Sequence, residues 1–210
     1  MLYNVLDAVL GSGTKVQILR ALLPLTGAVT GREAQRLAGV RSDRGARQAL
    51  GELTELGVVL REHSSASHLY RVNPKHELVP ALTALFEAEA GRVQNLKQLL
   101  RNALKRSELT GRVEAVILFG SNVRMDARPE SDTDLLAVTS GEKSVAKVRD
   151  ALIAAGDRIF ARTGLRVSPL VLSRERFRER YRDGDPLLKN VEAEGRVLVG
   201  ANFNELVGDR

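Results

Sequence analysis

The chain has 210 residues, enough for one or two domains, and its 43% hydrophobic content supports a buried core. It contains no cysteine, which excludes disulfide bonds, cysteine-ligated zinc and a thiol nucleophile. No apolar run approaches the roughly 20 residues of a membrane span, and the first residues lack the basic segment of a secretory signal. We therefore expect a cytoplasmic protein with no membrane partner. The net charge of +6 favours a polyanionic partner such as DNA.

Residues 1–79 are predicted to form helices followed by a β-hairpin. Thr30 and Glu33 have the spacing of a capping box, and Ser42 is a suitable N-cap for a further helix. The predicted elements are helices over 14–23, 30–39 and 43–56 and strands over 58–62 and 69–72. Helix, helix, turn, helix and hairpin is the order of a winged helix-turn-helix domain. The segment resembles bacterial winged-helix regulators.

Five polar side chains of this domain are candidate DNA contacts. The second helix of a helix-turn-helix enters the major groove, where Arg can reach guanine and Gln can reach adenine. Arginines beside the hairpin tip are suited to phosphate contacts. An ordinary solvated surface is the alternative explanation for the same charges. The candidates are Arg44, Arg47 and Gln48 on the helix and Arg61 and Arg71 on the hairpin.

Residues 80–110 are predicted to form one long linker helix. Pro80 fits the first turn of a helix, and apolar residues then recur at helical spacing as far as Ala103. Gly91 is a weak point in this pattern. A helix of this length between two domains predicts a rigid arm and a homodimer surface. The alternative is that its apolar stripe packs onto the protein's own domains.

In the second half, two carboxylates follow a glycine-containing turn. A buried strand is predicted over 113–119, and Gly120 and Ser121 follow it. Asp132 and Asp134 are two residues apart on the next predicted strand, so their side chains face the same way. Adjacent carboxylates raise each other's pKa unless a cation lies between them. Mg²⁺ (or Mn²⁺), held by this pair and by the phosphates of a nucleoside triphosphate, would account for the arrangement.

LFGS at 118–121 followed by DTDL at 132–135 resembles the signature of the DNA polymerase β-like nucleotidyltransferase superfamily. The likeness is greatest to its minimal branch, which includes antitoxin-like proteins, and it covers about residues 113–200. It implies a metal-dependent transferase with a small mixed sheet. By position, it implies that the catalytic and metal-binding residues are Asp132 and Asp134, and that the nucleotide-binding residues are Gly120, Ser121, Arg124 and Ser131.

One departure from this family concerns a third carboxylate, which the family usually carries on a later strand. The matching strand here, 165–172, has Ser168 and Pro169 at this place. Proline in a strand favours the edge of a sheet. Because general base catalysis contributes roughly 10²–10⁴-fold, both slow transfer and nucleotide binding without transfer stay open. The acidic residues that could compensate are Glu175, Asp183 and Asp185.

The sequence therefore predicts an α/β (α+β) protein in three parts. These are a winged helix-turn-helix domain at 1–79, a linker or dimerisation helix at 80–110 and a polymerase β-like nucleotidyltransferase domain at 111–210. The predicted function is transfer of a nucleoside monophosphate from a nucleoside triphosphate to a hydroxyl acceptor, by a DNA-binding homodimer. The alternatives are a transcriptional regulator with a degenerate nucleotidyltransferase domain and an antitoxin-like protein with a toxin-like partner.

Overall fold

The computed structural model describes residues 2–11, 13–63, 67–124, 127–128 and 130–208, without the side chains of residues 8 and 9. The chain divides into two compact units. The N-terminal unit is Asn4–Ala90, and the C-terminal unit combines Met1–Tyr3 with Gly91–Arg210. Among the described residues, no helix has both the length and the apolar character that crossing a bilayer requires.

The N-terminal unit contains helices and a small antiparallel sheet with strand order β1-β3-β2. Its elements are α1 (Val5–Leu10), α2 (Gly13–Leu22), β1 (Val29–Thr30), α3 (Gly31–Ala38), α4 (Asp43–Glu55), β2 (Val59–His63), β3 (His68–Val72) and α5 (Val79–Ala90). The predicted helices and both hairpin strands are present with nearly the predicted bounds. Strand β1 and helix α1 were not predicted.

Side chains cap the helices of this unit as the sequence indicated. The hydroxyl of Thr30 accepts a hydrogen bond from the Glu33 N–H at 3.2 Å, and the hydroxyl of Ser42 accepts one from the Gly45 N–H at 3.0 Å. The Glu33 carboxylate, expected to complete a capping box, forms an ion pair with Arg36 instead. Both helix starts were therefore predicted correctly. Of the two hydrogen bonds expected for the capping box, the one to the Thr30 hydroxyl is present, whereas the Glu33 carboxylate is engaged by Arg36.

A partly buried ion-pair network joins the first, second and last helices of the N-terminal unit. Arg20 donates to Glu89 at 2.7 Å and to Asp7 at 2.8 Å. The other oxygen of Glu89 accepts from the Leu6 N–H at 2.9 Å. Burial acts to lower the pKa of Arg20, but its bonds to Glu89 and Asp7 outweigh burial and raise that pKa. These contacts hold α5 against α1 and α2 within the N-terminal unit.

The prediction of one continuous helix over 80–110 is wrong. Helix α5 ends at Ala90, and α6 (Arg92–Arg106) begins after Gly91, where the boundary between the two units also falls. Phe86 of α5 lies in the core of the N-terminal unit, whereas Leu96 and Leu100 of α6 lie in the core of the C-terminal unit. The apolar stripe thus packs onto the protein's own units. The homodimer surface on this segment stays a prediction.

The C-terminal unit is built on a four-stranded mixed sheet with strand order β6-β5-β4-β7. After α6 its elements are β4 (Val113–Phe119), α7 (Ser121–Arg124), β5 (Thr133–Thr139), α8 (Val145–Thr163), β6 (Val167–Ser173), α9 (Arg174–Arg182), α10 (Pro186–Glu194), β7 (Arg196–Gly200) and α11 (Phe203–Val207). Strands β4 and β5 are antiparallel, as are β4 and β7, while β5 and β6 are parallel. The predicted small mixed sheet is confirmed.

Alternating side chains of the central strands enter two separate cores. Leu135 of β5 lies in the core formed with α6 and α8, whereas Leu136 lies in the core formed with α9, α10 and α11. Asp134 has the same parity as Leu136 and therefore lies on the second face. Strand β6, which contains Pro169, is at an edge of the sheet as predicted.

Candidate active site

The sheet brings the Gly-Ser turn and the aspartates to one end. Phe119, the last residue of β4, is the register partner of Asp134 near the start of β5. Gly120 and Ser121 follow Phe119 directly, so they lie beside Asp134. On its other side, Asp134 has Ser168 of β6 as its register partner. Asp134 is therefore flanked by the Gly-Ser turn and by the position where the resemblance implied a third carboxylate.

The turn at Gly120 requires glycine for two reasons. Its φ is +76°, in the left-handed region that side chains disfavour. A β-carbon at this position would also lie 2.5 Å from Oδ2 of Asp134. The Gly120 carbonyl accepts from the N–H of Val123 at 3.0 Å and from that of Arg124 at 3.4 Å, which closes the short helix α7. The turn thus lies against the Asp134 carboxylate with no room for a β-carbon on Gly120.

The two aspartates interact electrostatically. Burial raises the pKa of Asp134 above its ordinary value, the charge of Asp132 raises it further, and the charge of Arg124 lowers it. Asp134 is half-buried and Asp132 is exposed. A cation between them would relieve their repulsion. Within the described residues, no group of three or more His, Asp or Glu is placed to hold a metal ion, so the ligands offered here are two carboxylates.

Two further predicted residues border the site. Arg124 pairs with Glu194, the last residue of α10, at 2.7 Å. The hydroxyl of Ser131 accepts from the Arg128 N–H at 2.9 Å, and the Ser131 N–H donates to the Arg128 carbonyl at 3.0 Å. Ser131 therefore closes the turn that precedes Asp132. The nucleotide-binding role of Ser131 stays a prediction.

Asn122, which the sequence did not single out, is buried at the centre of the site. The residue is only 1% exposed. Its Oδ1 accepts from the Leu2 N–H at 2.8 Å, and its Nδ2 donates to the Asp132 carbonyl at 3.0 Å and to the Thr133 hydroxyl at 3.4 Å. In the sequence, its position directly after Gly-Ser was the only indication of a role in the site. Its burial was not expected, because polar residues in short turns are usually exposed.

The acidic residues considered as substitutes for the third carboxylate lie elsewhere. Glu175 is in the first turn of α9, beyond the opposite end of β6 from Ser168, on the order of 15 Å along the strand. Asp185 caps α10 by accepting from the Leu187 N–H at 2.8 Å and also pairs with Arg180 at 2.6 Å. Asp183 is exposed just after α9. None of the three is placed beside Asp134.

The candidate DNA contacts divide between one helix and the hairpin of the N-terminal unit. The candidates Arg44, Arg47 and Gln48 are all exposed on α4, on the side away from the buried Ala46, Ala49 and Leu50. Arg47 pairs with Asp43 on the same helix, and Gln48 donates to Glu52 at 2.8 Å. Arg61 is exposed on β2, and Arg71 of β3 pairs with Glu62 at 2.6 Å. The helix presents the expected polar face, although neighbouring acids reduce its net positive charge.

Comparison with known proteins identifies the family to which the C-terminal unit is similar. The family model described as "Nucleotidyltransferase domain" matches residues 96–199. A protein of Methanocaldococcus jannaschii named as a protein adenylyltransferase is 36% identical over 97 residues, which are 46% of this chain and 88% of that protein. The chain belongs to the nucleotidyltransferase domain family. The match begins within α6, consistent with the packing of α6 in the C-terminal unit.

Two solved structures are similar to part of this nucleotidyltransferase-family protein. One is a crystal structure of a toxin–antitoxin with AMP-PNP, 13% identical, with a TM-score of 0.34, covering 53% of this chain and 80% of that chain. The other is a mutant of the toxin–antitoxin MntA–HpeT, 14% identical, with a TM-score of 0.37, covering 55% of this chain and 80% of that chain.

Proposed function

We propose that the protein is a metal-dependent nucleotidyltransferase that moves a nucleoside monophosphate from a nucleoside triphosphate to a hydroxyl group. The observation that carries this proposal is the Gly120 turn seated against the Asp134 carboxylate, with Asp132 close enough to raise the pKa of Asp134. Membership of a nucleotidyltransferase family would account for both features.

The donor set fits a hard divalent cation. Mg²⁺ is commonly held by one or two carboxylates together with substrate phosphates, and Asp132 and Asp134 supply the carboxylates. The unfavourable proximity of the two charges in the free protein is what a bound cation would remove. When bound, the metal neutralises charge on the transferring and leaving phosphates.

The remaining residues have roles that follow from their positions. Gly120 lets the backbone approach a phosphate closely, and the Ser121 hydroxyl can donate to it. Arg124, oriented by Glu194, offers a positive charge near the carboxylates. In the reaction, the acceptor hydroxyl gives its proton to solvent and its oxygen bonds to the α-phosphorus. The bond between the α-phosphorus and the oxygen that bridges to the β-phosphorus breaks, and pyrophosphate leaves.

Calorimetric titration of Mg·ATP and Mg·GTP tests the core of this proposal. We expect the wild-type protein to bind one or both, and binding to be lost in the double variant Asp132→Asn/Asp134→Asn. Omitting the metal should have the same effect as the double variant. Binding that is equal in wild type and variant would exclude the carboxylate pair as the metal site.

The name of the M. jannaschii relative leads us to propose ATP as donor and a protein hydroxyl as acceptor. The test is incubation with candidate acceptor proteins and ATP labelled at either the α- or the γ-phosphate. Transfer of only the α label, abolished by Asp134→Asn, is the expected outcome. Transfer of the γ label would indicate a phosphotransferase instead.

A second function, DNA binding by the N-terminal unit, is supported by a specific surface. Helix α4 follows α3 through a short turn and precedes the β2–β3 hairpin, which is the element order of a winged helix-turn-helix. Its exposed face carries Arg44, Arg47 and Gln48. We propose that this face reads DNA in the major groove. The alternative of a regulator with an inactive transferase unit would then show DNA binding without nucleotide transfer.

A further inference from the structure

The second residue of the chain is built into the core of the C-terminal unit. Leu2 is 1% exposed and packs in the core that contains Leu96 and Leu100. Both polar groups of its backbone are bonded within this unit. The Leu2 N–H donates to Asn122 Oδ1 at 2.8 Å, and the Leu2 carbonyl accepts from Arg92 Nε at 3.1 Å. Leu2 therefore lies directly behind the Gly-Ser turn.

The opposite end of the Asn122 amide holds the peptide group between Asp132 and Thr133. The Asp132 carbonyl accepts from Asn122 Nδ2 at 3.0 Å, and the Thr133 N–H donates to the Arg166 carbonyl at 2.6 Å. Both hydrogen-bonding groups of this one peptide are thus fixed, from opposite sides. Asp132 itself is exposed and precedes the first residue of β5, so this peptide is the restraint nearest to its carboxylate.

The direction of the Asn122 amide follows from its partners. A backbone N–H can only donate and a carbonyl can only accept, so Oδ1 must face Leu2 and Nδ2 must face Asp132. No other small side chain offers an acceptor and a donor at this separation. An unpaired polar group at a site so deeply buried would be costly.

We infer that Asn122 is a positioning residue that aims the Asp132 carboxylate by bonding its backbone and by anchoring this bond on Leu2. The inference rests on the proposed function, because it concerns how Asp132 is presented to a metal-bound nucleotide. The competing explanation is that Asn122 only ties the start of the chain to the core. The two explanations differ in whether its effect depends on the Asp132 carboxylate.

A double-mutant cycle separates them, with calorimetric affinity for Mg·ATP as the readout. Asn122→Ala should weaken binding by about tenfold, as loss of a residue that orients a metal ligand typically does. In the Asp132→Asn background the same change should have little further effect, since the group being aimed is absent. The matched control is Asn102→Ala, which removes an exposed amide on α6 and should leave affinity unchanged.

Three further variants keep the test decisive if Asn122→Ala folds poorly. Asn122→Asp keeps an acceptor for the Leu2 N–H but places an oxygen against the Asp132 carbonyl, so it should weaken binding as Ala does. Leu2→Pro removes the N–H that anchors Asn122, and Leu2→Ala controls for its lost side chain. Thermal unfolding of each variant without nucleotide reports the purely structural cost.

The outcomes distinguish this inference from the function on which it rests. Weakening of binding by Asn122→Ala only when Asp132 is present supports the inference. Equal weakening in both backgrounds, or no weakening by Asn122→Ala while Asp132→Asn alone weakens binding measurably, overturns the inference and leaves the proposed function standing. Wild-type binding that Asp132→Asn does not affect overturns both.

Discussion

Gly120 and Asp134 lie so close that a β-carbon on the glycine would stand 2.5 Å from a carboxylate oxygen of the aspartate. A side chain at residue 120 would therefore displace the Asp134 carboxylate. This contact gives the glycine of the motif a steric reason that is separate from its positive φ.

The first prediction is that Gly120→Ala abolishes Mg·ATP binding in calorimetry. The methyl group would push the Asp134 carboxylate away from the turn, so the phosphate and metal sites would no longer adjoin. The positive φ adds a backbone cost of about 1–2 kcal/mol in unfolding free energy.

Gly164→Ala is the matched control, because Gly164 has a φ of +69° and a β-carbon added there would meet no atom within 4 Å. We expect it to show the backbone cost in denaturation and to retain nucleotide binding. Equal loss of binding in both variants would mean that general destabilisation, rather than the contact with Asp134, explains the effect.

The second prediction concerns pH. Burial and the charge of Asp132 raise the pKa of Asp134 above 3.8, so the folded protein holds this proton more tightly than the unfolded chain does. The contribution of Asp134 to the free energy of unfolding is therefore complete below the pKa of the unfolded chain. It is lost as pH rises through the raised pKa of the folded protein. Without metal, Asp134→Asn should gain in unfolding free energy relative to wild type across that pH range.

Denaturant unfolding of both proteins in a chelator, over pH values from about 3 to 7, measures this difference. Asp157→Asn, which alters an exposed aspartate on α8, corrects for the general effect of removing one negative charge. With saturating Mg·ATP the order should reverse, because only the wild type gains binding energy. A difference that does not vary with pH would contradict the electrostatic account.

The third prediction is that Arg44→Ala/Arg47→Ala lowers sequence-selective DNA binding. Loss of a bidentate arginine–guanine contact typically costs about 1–3 kcal/mol of binding free energy. It also reduces the difference in affinity between the preferred and a scrambled DNA sequence. Arg32→Ala/Arg36→Ala removes the same charge from exposed positions on α3. This control should weaken binding to all sequences alike. Fluorescence anisotropy at several salt concentrations checks both, and equal effects of the two variants would argue against readout by α4.

The elements that local pattern predicts well are those whose signal is confined to a few residues. Strand β4 has the predicted bounds, and Pro169 marks an edge strand. The apolar stripe on both sides of Gly91, by contrast, is continuous in the sequence, but its residues pack into two different cores. Periodicity reports which face of a helix is buried but not the core into which that face is buried.

Within the candidate site, the spacing of the Gly-Ser/Asp-x-Asp motif predicted that the Gly-Ser turn and Asp134 belong to one site. The role of Asn122 was not predicted, because its partner Leu2 is 120 residues away and no local pattern encodes such a contact. The pairing of Arg124 with Glu194 spans 70 residues and was equally hidden. Long-range hydrogen bonds of this kind depend on the completed fold.

Ser168 is the register partner of Asp134 across the β5–β6 pair, and its side chain is exposed. Residues paired in this way on neighbouring strands project from the same face of a sheet. A carboxylate introduced at Ser168 would therefore stand next to Asp134, where it could accept the proton of an attacking hydroxyl.

The fourth prediction is that Ser168→Asp accelerates nucleotidyl transfer measured in a single turnover. A correctly placed general base contributes roughly 10²–10⁴-fold, and we expect a gain toward the lower end because the acceptor site has not adapted to the new group. Ser168→Asn has nearly the same shape without the charge and should transfer at the wild-type rate. If the two variants are equally fast, the missing carboxylate is not what limits transfer, and the attacking hydroxyl must lose its proton to another group or to solvent.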